Sequence, residues 1–410
     1  MTRKLHVFTS AALNYLPKVR LLCRSVRRHH PDAVIHFILV DELPPWLDTR
    51  DEPFDELIEA SKLGIDDWRR WSFGHDIVEL ATAVKPFALT RLLERDDCAR
   101  VLYFDPDIVL FSRIDDILLT LDQSSIALTP HQTTPETTLD AVLDNEVASL
   151  KYGIFNLGFI GVANDDEGRR FASWWGQRTY DLCSADLATG LFTDQKWLNF
   201  APVFFDRVAI IKSSRHNVAT WNLTTRRFTG DLEHGFEVDG QPLGFYHFTG
   251  FDSGAHRIMA VKNATRNESV QALIGWYERE TAVSRGDPVA ECPWAFGRYS
   301  DGTPIESWQR RLYRDRIDLR DAFRDPYHTS ASDGGYRRWC AGEGLRYRAH
   351  YESSARIATW LRGSLGVPVS IRLLWLALSP RAGRPLRARS LTILRNEGMH
   401  GIVRRIAPRR

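Results

Sequence analysis

The stretch Val101-Leu102-Tyr103-Phe104-Asp105-Pro106-Asp107-Ile108-Val109-Leu110-Phe111 decides how the rest of the chain is read. Two carboxylates two residues apart interrupt an apolar run that otherwise reads as a buried strand. A buried charge is costly unless paired, and a hard divalent cation is the obvious partner for two converging carboxylates. Pro106 removes a backbone donor and fixes φ, which puts the pair where the strand ends and a turn begins. Taken alone, an Asp-x-Asp is more often a solvated strand end. The rest of the chain reverses that reading.

The 410 residues are 43% hydrophobic and 26% charged, the composition of an ordinary soluble protein with a large core. The thirteen tryptophans serve either as core or as flat platforms for sugar rings. Five scattered cysteines without CxxC spacing argue against a zinc site or a disulfide framework and for a reducing compartment. The N-terminus lacks a signal-peptide apolar region, and no segment approaches the roughly 20 apolar residues of a membrane span. The reading is cytoplasmic. From Arg346 to Arg410 there are fourteen arginines and two acids, a net of +12; the whole chain is +2, so residues 1–345 carry −10. An acidic body with a basic tail calls for an anionic partner for the tail.

Around the Asp-x-Asp strand the pattern is α/β. Leu5–Thr9 and the continuous apolar run Ala33–Leu39 read as strands, with a helix from Leu16 to His29 between them, the signature of a parallel sheet. Leu80–Glu94 and Arg169–Leu182 read as helices and Asp115–Asp122 as a short one. Ser125–Thr129, Phe155–Val162, Phe204–Ile211 and Gly244–Phe248 read as strands. Gly158 and Gly161 in one of them mark a close approach of backbone or ligand. After Asn263 the pattern turns irregular. The expected division is residues 1–262, an appended module 263–345 and an Arg-rich amphipathic helical tail 346–410.

Two more segments carry chemistry. Phe192-Thr193-Asp194-Gln195-Lys196-Trp197 sets an acid and an amide side by side at a helix start, where capping is the bland alternative. Gly244-Phe245-Tyr246-His247-Phe248-Thr249-Gly250 is an apolar strand ending in a histidine, as the earlier strand ends in Asp105 and Asp107.

Together these segments resemble the retaining nucleotide-sugar glycosyltransferases of the GT-A type, especially family eight, over residues 4 to 255. That family includes glycogenin and the bacterial lipooligosaccharide galactosyltransferases. The resemblance implies a GT-A fold, a Rossmann-like mixed sheet flanked by helices. It implies that Asp105, Asp107 and His247 hold Mn²⁺ or Mg²⁺, which bridges the diphosphate of the donor, a UDP-sugar being favoured. Three such ligands leave positions open for phosphate oxygens. It also puts Thr9, Ser10, Asn14 and Tyr15 at the nucleotide, with Tyr15 against the base. Lys85, Asp105, Asn156, Gly158, Gly250 and Arg257 are implied as further donor contacts, and Asp194 and Gln195 as the pair beside the sugar that carries catalysis.

The chain departs from the family in two places. The first-turn acid that reads the base edge is replaced by Ser10-Ala11-Ala12. The basic residue expected after the His-Phe-x-Gly turn is displaced, leaving Arg257 or Lys262 to meet the phosphate.

The expected activity is therefore metal-dependent transfer of a sugar to a hydroxyl on a glycan or glycolipid acceptor, with retention, in bacterial surface-glycan assembly. An aspartyl-nucleophile phosphatase fits less well, because its Asp-x-Asp usually lies on the first strand and it gives no account of Asp194-Gln195 or His247. A catalytically inactive carbohydrate-binding or scaffold protein is the third reading. For the tail, contact with an anionic membrane at its inner face stands beside a plain linker. Nucleic acid is not expected, since the body is acidic.

Overall fold

The computed structural model describes residues 3–352 apart from 265, 283–285 and 330–333. The described residues up to Gly342 form one compact unit, and Glu343 begins a second. The expected tail lies outside the described residues from 353 onward.

The apolar runs become β1 (Lys4–Ala11), β2 (Val34–Leu39), β3 (Glu56–Glu59), β4 (Cys98–Phe104), β5 (Ile108–Leu110), β6 (Ile126–Pro130), β7 (Phe155–Ala163) and β8 (Val208–Ile210). Seven of them make one sheet in the order β3-β2-β1-β4-β7-β6-β8. Strands β3, β2, β1 and β4 run parallel, while β7 is antiparallel to both β4 and β6. This is the mixed, helix-flanked sheet that was expected. All nine residues of β7 are buried, the polar Asn156 among them. The helix Leu16–His29 lays Leu16, Val19, Leu22, Cys23 and Val26 on the sheet at helical spacing, against Phe37, Leu39 and Phe104.

The sheet also gives the motif its partner. Chain leaving β4 turns through Asp105-Pro106-Asp107 into β5, which leaves the main sheet. It pairs antiparallel with β12 (Phe245–His247), in the register Phe245 to Leu110, Tyr246 to Val109 and His247 to Ile108. The intervening β9 (Phe228–Asp231), β10 (Gly235–Val238) and β11 (Gln241–Pro242) form a small separate sheet.

Three expectations change. The helix read over Leu80–Glu94 is two helices, Ile77–Ala83 and Lys85–Leu93. Asp76 and Glu79 open the first with a capping box, and Pro86, tolerated only in a first turn, starts the second. The strand read over Phe204–Ile211 shortens to β8, because Ala201–Phe204 is helical. The module expected from residue 263 is not separate up to Gly342. Arg310 is buried and donates to Phe73 O, His75 O and Phe296 O, while Trp294 Nε1 donates to Val40 O. Phe73 sits among Tyr299, Tyr313, Tyr327 and Tyr336, with ring centres 5.0 to 6.0 Å away. These aromatics belong to a core shared by both parts of the sequence.

Candidate functional site

The site lies at the C-terminal ends of β1 and β4, where α/β sheets ordinarily bind ligands. Its frame is backbone: Asp105 N donates to Gly158 O, Ile108 N to Asp105 O and Phe248 N to Asp107 O. The β5–β12 register does the rest, setting His247 opposite Ile108 and so beside Asp107. His247 Nε2 lies 3.1 Å from Asp107 Oδ1 and 3.8 Å from Asp105 Oδ2. Ligand atoms of the three residues all fall within 4.8 Å of one another.

The other imidazole nitrogen is held as well. His247 Nδ1 donates to Asn156 Oδ1 across 3.1 Å, since an amide oxygen can only accept. That turns Nε2 toward the carboxylates, the orientation a metal-ligating histidine needs. Gly158 makes room for the ring, because a Cβ there would sit 2.5 Å from His247 Cε1. Two carboxylates and one imidazole, converging and oriented from behind, fit Mn²⁺ or Mg²⁺. Burial opposes a proton on His247, but Asp107 and then Asp105 outweigh it and raise the imidazole above its ordinary value. Burial likewise opposes charge on Asp107, yet His247 holds that carboxyl below its ordinary range.

Lys85 forms the second half of the site. It is fully buried at the start of its helix, a placement that follows from the helix break before Pro86. Its ammonium donates to Leu157 O at 3.0 Å and lies 3.3 Å from Asp105 Oδ1 and 3.2 Å from Asp194 Oδ2. Burial works against this charge, but Asp105 and Asp194 outweigh it and raise Lys85 above its ordinary value. Asp194 is buried too, reached through Thr193 in the left-handed region at φ 46°. A charge cluster of this kind is costly unless each member is paired. It marks a place where chemistry has been favoured over packing.

Tyr103 joins the two halves, and sequence reasoning missed it as a site residue. Its hydroxyl donates to Asp105 Oδ1 at 2.5 Å, and Lys85 Nζ lies 4.3 Å from its ring centre. Alternation along β4 could have found it, because residues 103 and 105 share a face.

Other expected residues fall as follows. Gln195 Oε1 accepts from Leu157 N and its Nε2 donates to Tyr152 O, so both ends of the amide are engaged with backbone. Ser10 Oγ donates to Ala81 O, while Thr9 Oγ1 and Asn14 Oδ1 are buried and find no hydrogen-bond partner among the described residues. Tyr15 OH donates to Asp252 Oδ2 at 2.6 Å, and Lys18 Nζ donates to the same oxygen at 2.5 Å. Gly250, at φ 71°, opens the loop that carries Asp252.

Both basic residues expected after the turn are ion-paired. Arg257 pairs with Glu278 and Lys262 with Asp144. Lys18, from the first helix, is a further cation, and its field reaches Asp107 and lowers that carboxyl. Arg257, Lys18, Asn14 and Asp252 line a cavity of about 750 Å³ beside Tyr15. Lys18 and Asp252 went unread because each looks like an ordinary surface charge in sequence.

No family model matches the chain. Two proteins of Bacillus subtilis (strain 168), both uncharacterized, are similar in sequence. YfnD is 25% identical over 256 residues, which are 60% of this chain and 78% of YfnD. YfnF is 27% identical over 179 residues, 43% of this chain and 58% of YfnF, so little more than half of that protein is spanned. Solved structures with a distant likeness include galactosyltransferase LgtC in complex with donor and acceptor sugar analogues. It is 19% identical with a TM-score of 0.39, over 66% of this chain and 95% of LgtC. Mouse xyloside xylosyltransferase 1 is 14% identical with a TM-score of 0.37, over 61% of this chain and 98% of that one. Sheet and site together define an α/β protein with a carboxylate–imidazole centre at its strand ends and a buried lysine–carboxylate cluster beside it.

Proposed function

We propose that the chain is a divalent-metal-dependent glycosyltransferase, moving a sugar from a nucleoside diphosphate to an acceptor hydroxyl. One observation carries the reading. The β5–β12 register brings His247 to Asp105 and Asp107, and Asn156 points its free nitrogen at them. Asp105, Asp107 and His247 would hold the cation, which when bound supplies Lewis-acid stabilisation of the charge gathering on the departing diphosphate.

The chain's own groups do the remainder. In the reaction the anomeric carbon–oxygen bond to phosphate breaks, a bond to the acceptor oxygen forms, and the acceptor proton is released. Lys85 fixes Asp105 and Asp194 in place and brings a permanent positive charge to the donor. Lys18 adds positive potential on the nucleotide side, near Tyr15, which packs against the base. Asp194 faces the sugar, and Gln195 holds the strand carrying Asn156 and Gly158. The family resemblance extends the proposal to retention of configuration, a UDP-sugar donor, and bacterial surface-glycan assembly.

The test is a screen of nucleotide-sugars for slow hydrolysis, with Mn²⁺ or with EDTA. Cleavage of one donor, abolished by EDTA and by Asp107→Ala, is the expected result. Cleavage that survives both would overturn the proposal.

A further inference from the structure

The segment from Leu139 to Tyr152 is a helix turned inside out. It runs as Leu139–Ala141, a π-helical turn Val142–Glu146 and Val147–Tyr152. Its inward residue is polar: Asn145 is 1% exposed and donates Nδ2 to Glu136 Oε1. Its outward residues are apolar: Leu139 is 72% exposed and Leu150 69%, with Leu143, Val147 and the following Ile154 exposed as well. A surface helix normally presents the opposite arrangement. Exposed apolar residues in contiguous array mark an interaction surface.

The array extends along both neighbours. Ile154 N donates to Asn199 Oδ1, beside the exposed Phe200, Phe204 and Val203, the last 75% exposed. Asp144 pairs with Lys262 on the helix Ala255–Ala264, whose Ile258 and Val261 are also exposed. The belt adjoins the site, since Gln195 Nε2 donates to Tyr152 O at the end of the same helix.

We infer that this belt docks the protein on the surface of a lipid bilayer, with the catalytic mouth turned toward an acceptor held there. Two observations favour lipid as the occupant. The belt offers aliphatic and phenyl groups on helices whose backbone bonds are internal, which suits a non-directional apolar phase. The body carries −10, so an anionic surface repels it, and an apolar contact is needed to bring this side down. The chain outside the described residues supplies the complementary term, with twelve arginines and one acid from residue 353 on, interleaved with Leu, Ile and Trp. Reversible binding through two signals, one apolar and one cationic, is how peripheral proteins hold a membrane.

The experiment is sedimentation of the full chain with phosphatidylcholine vesicles at about 1 M salt, where the screening length is about 3 Å and the arginines contribute little. It needs neither donor nor cation, so its failure and the failure of the transferase reading are separate results. Wild type is expected to sediment with the vesicles. Leu143→Ser combined with Leu150→Ser should lower partition about tenfold or more, each lost side chain removing apolar area. Leu119→Ser, an exposed leucine on the helix Asp115–Thr120, should bind as wild type does. Unchanged thermal unfolding of the double variant would show that the fold is intact. Equal partition of wild type and double variant, or no wild-type binding at high salt, would overturn the inference. So would a dimer that forms without lipid and is lost in the double variant, since it would assign the face to a second copy.

Discussion

His247 and Asn156 meet through a single hydrogen bond of 3.1 Å, Nδ1 to Oδ1, that leaves the other imidazole nitrogen facing Asp107. Asn156→Leu keeps the volume and deletes the acceptor. Affinity for Mn²⁺, followed by electron paramagnetic resonance, should fall about 10- to 100-fold, the usual effect of losing a group that orients a ligand. Gly158→Ala should do at least as much, because its Cβ would collide with the ring at 2.5 Å. Mn²⁺ binding unchanged in both variants would separate the histidine from the cation.

Lys85 sits between Asp105 and Asp194 and is buried with the second of them. Lys85→Met leaves a buried carboxylate uncompensated and should cost about 3–5 kcal/mol in urea unfolding. Adding Asp194→Leu removes that stranded charge and should recover part of the loss. Donor hydrolysis should stay absent in both variants, so stability and activity come apart.

Lys18 and Asp252 pair at 2.5 Å, but Asp252 is half-exposed, so the contact is screened. Lys18→Ala should therefore change stability by no more than about 1 kcal/mol. Its effect should appear in donor affinity, as a raised KM with kcat little changed, because it removes positive potential from the nucleotide side. Steady-state kinetics on the donor found in the screen decides this.

The dependence of stability on pH comes from histidines buried away from the site. His36 lies on β2 among His6, Glu56, Asp97 and Arg95, and burial lowers its pKa to about 3. His75, near Arg310 and Arg314, is likewise lowered by burial to about 3. Each stays neutral in the folded protein while the unfolded chain takes a proton near pH 6.5. Their contribution is therefore complete above that value and declines as pH falls through it toward 3. At pH 5 each should cost about 2 kcal/mol relative to pH 8. Chemical denaturation across this range without a decline on the acid side would contradict the burial of both.

Much of the site was legible in sequence because strand ends announce themselves. A carboxylate or a histidine that closes an apolar run must sit where the sheet meets solvent or ligand, and Asp105, Asp107 and His247 all do; Asn156 was named from the family pattern. The α/β order was legible from the same runs. Lys85 was named from the family pattern, but its burial was not visible, because a lysine before a proline reads as a solvated helix start. Lys18 and Asp252 lie 234 residues apart, and nothing in either neighbourhood announces the other. The extent of the first unit was missed for a comparable reason: the tyrosines around Phe73 come from residues 299 to 336 and show no periodicity that assigns them to the first core. The helix at 139–152 misleads any reading that takes apolar positions for core.

Calorimetric titration of UDP into the protein, with Mn²⁺ and with EDTA, tests the central claim most directly. The trio of Asp105, Asp107 and His247 should make nucleotide binding depend on the cation. Heat of binding with Mn²⁺, lost in EDTA and in Asp107→Ala, is the result expected. UDP binding of equal strength with and without the cation, or undiminished in Asp107→Ala, would contradict it.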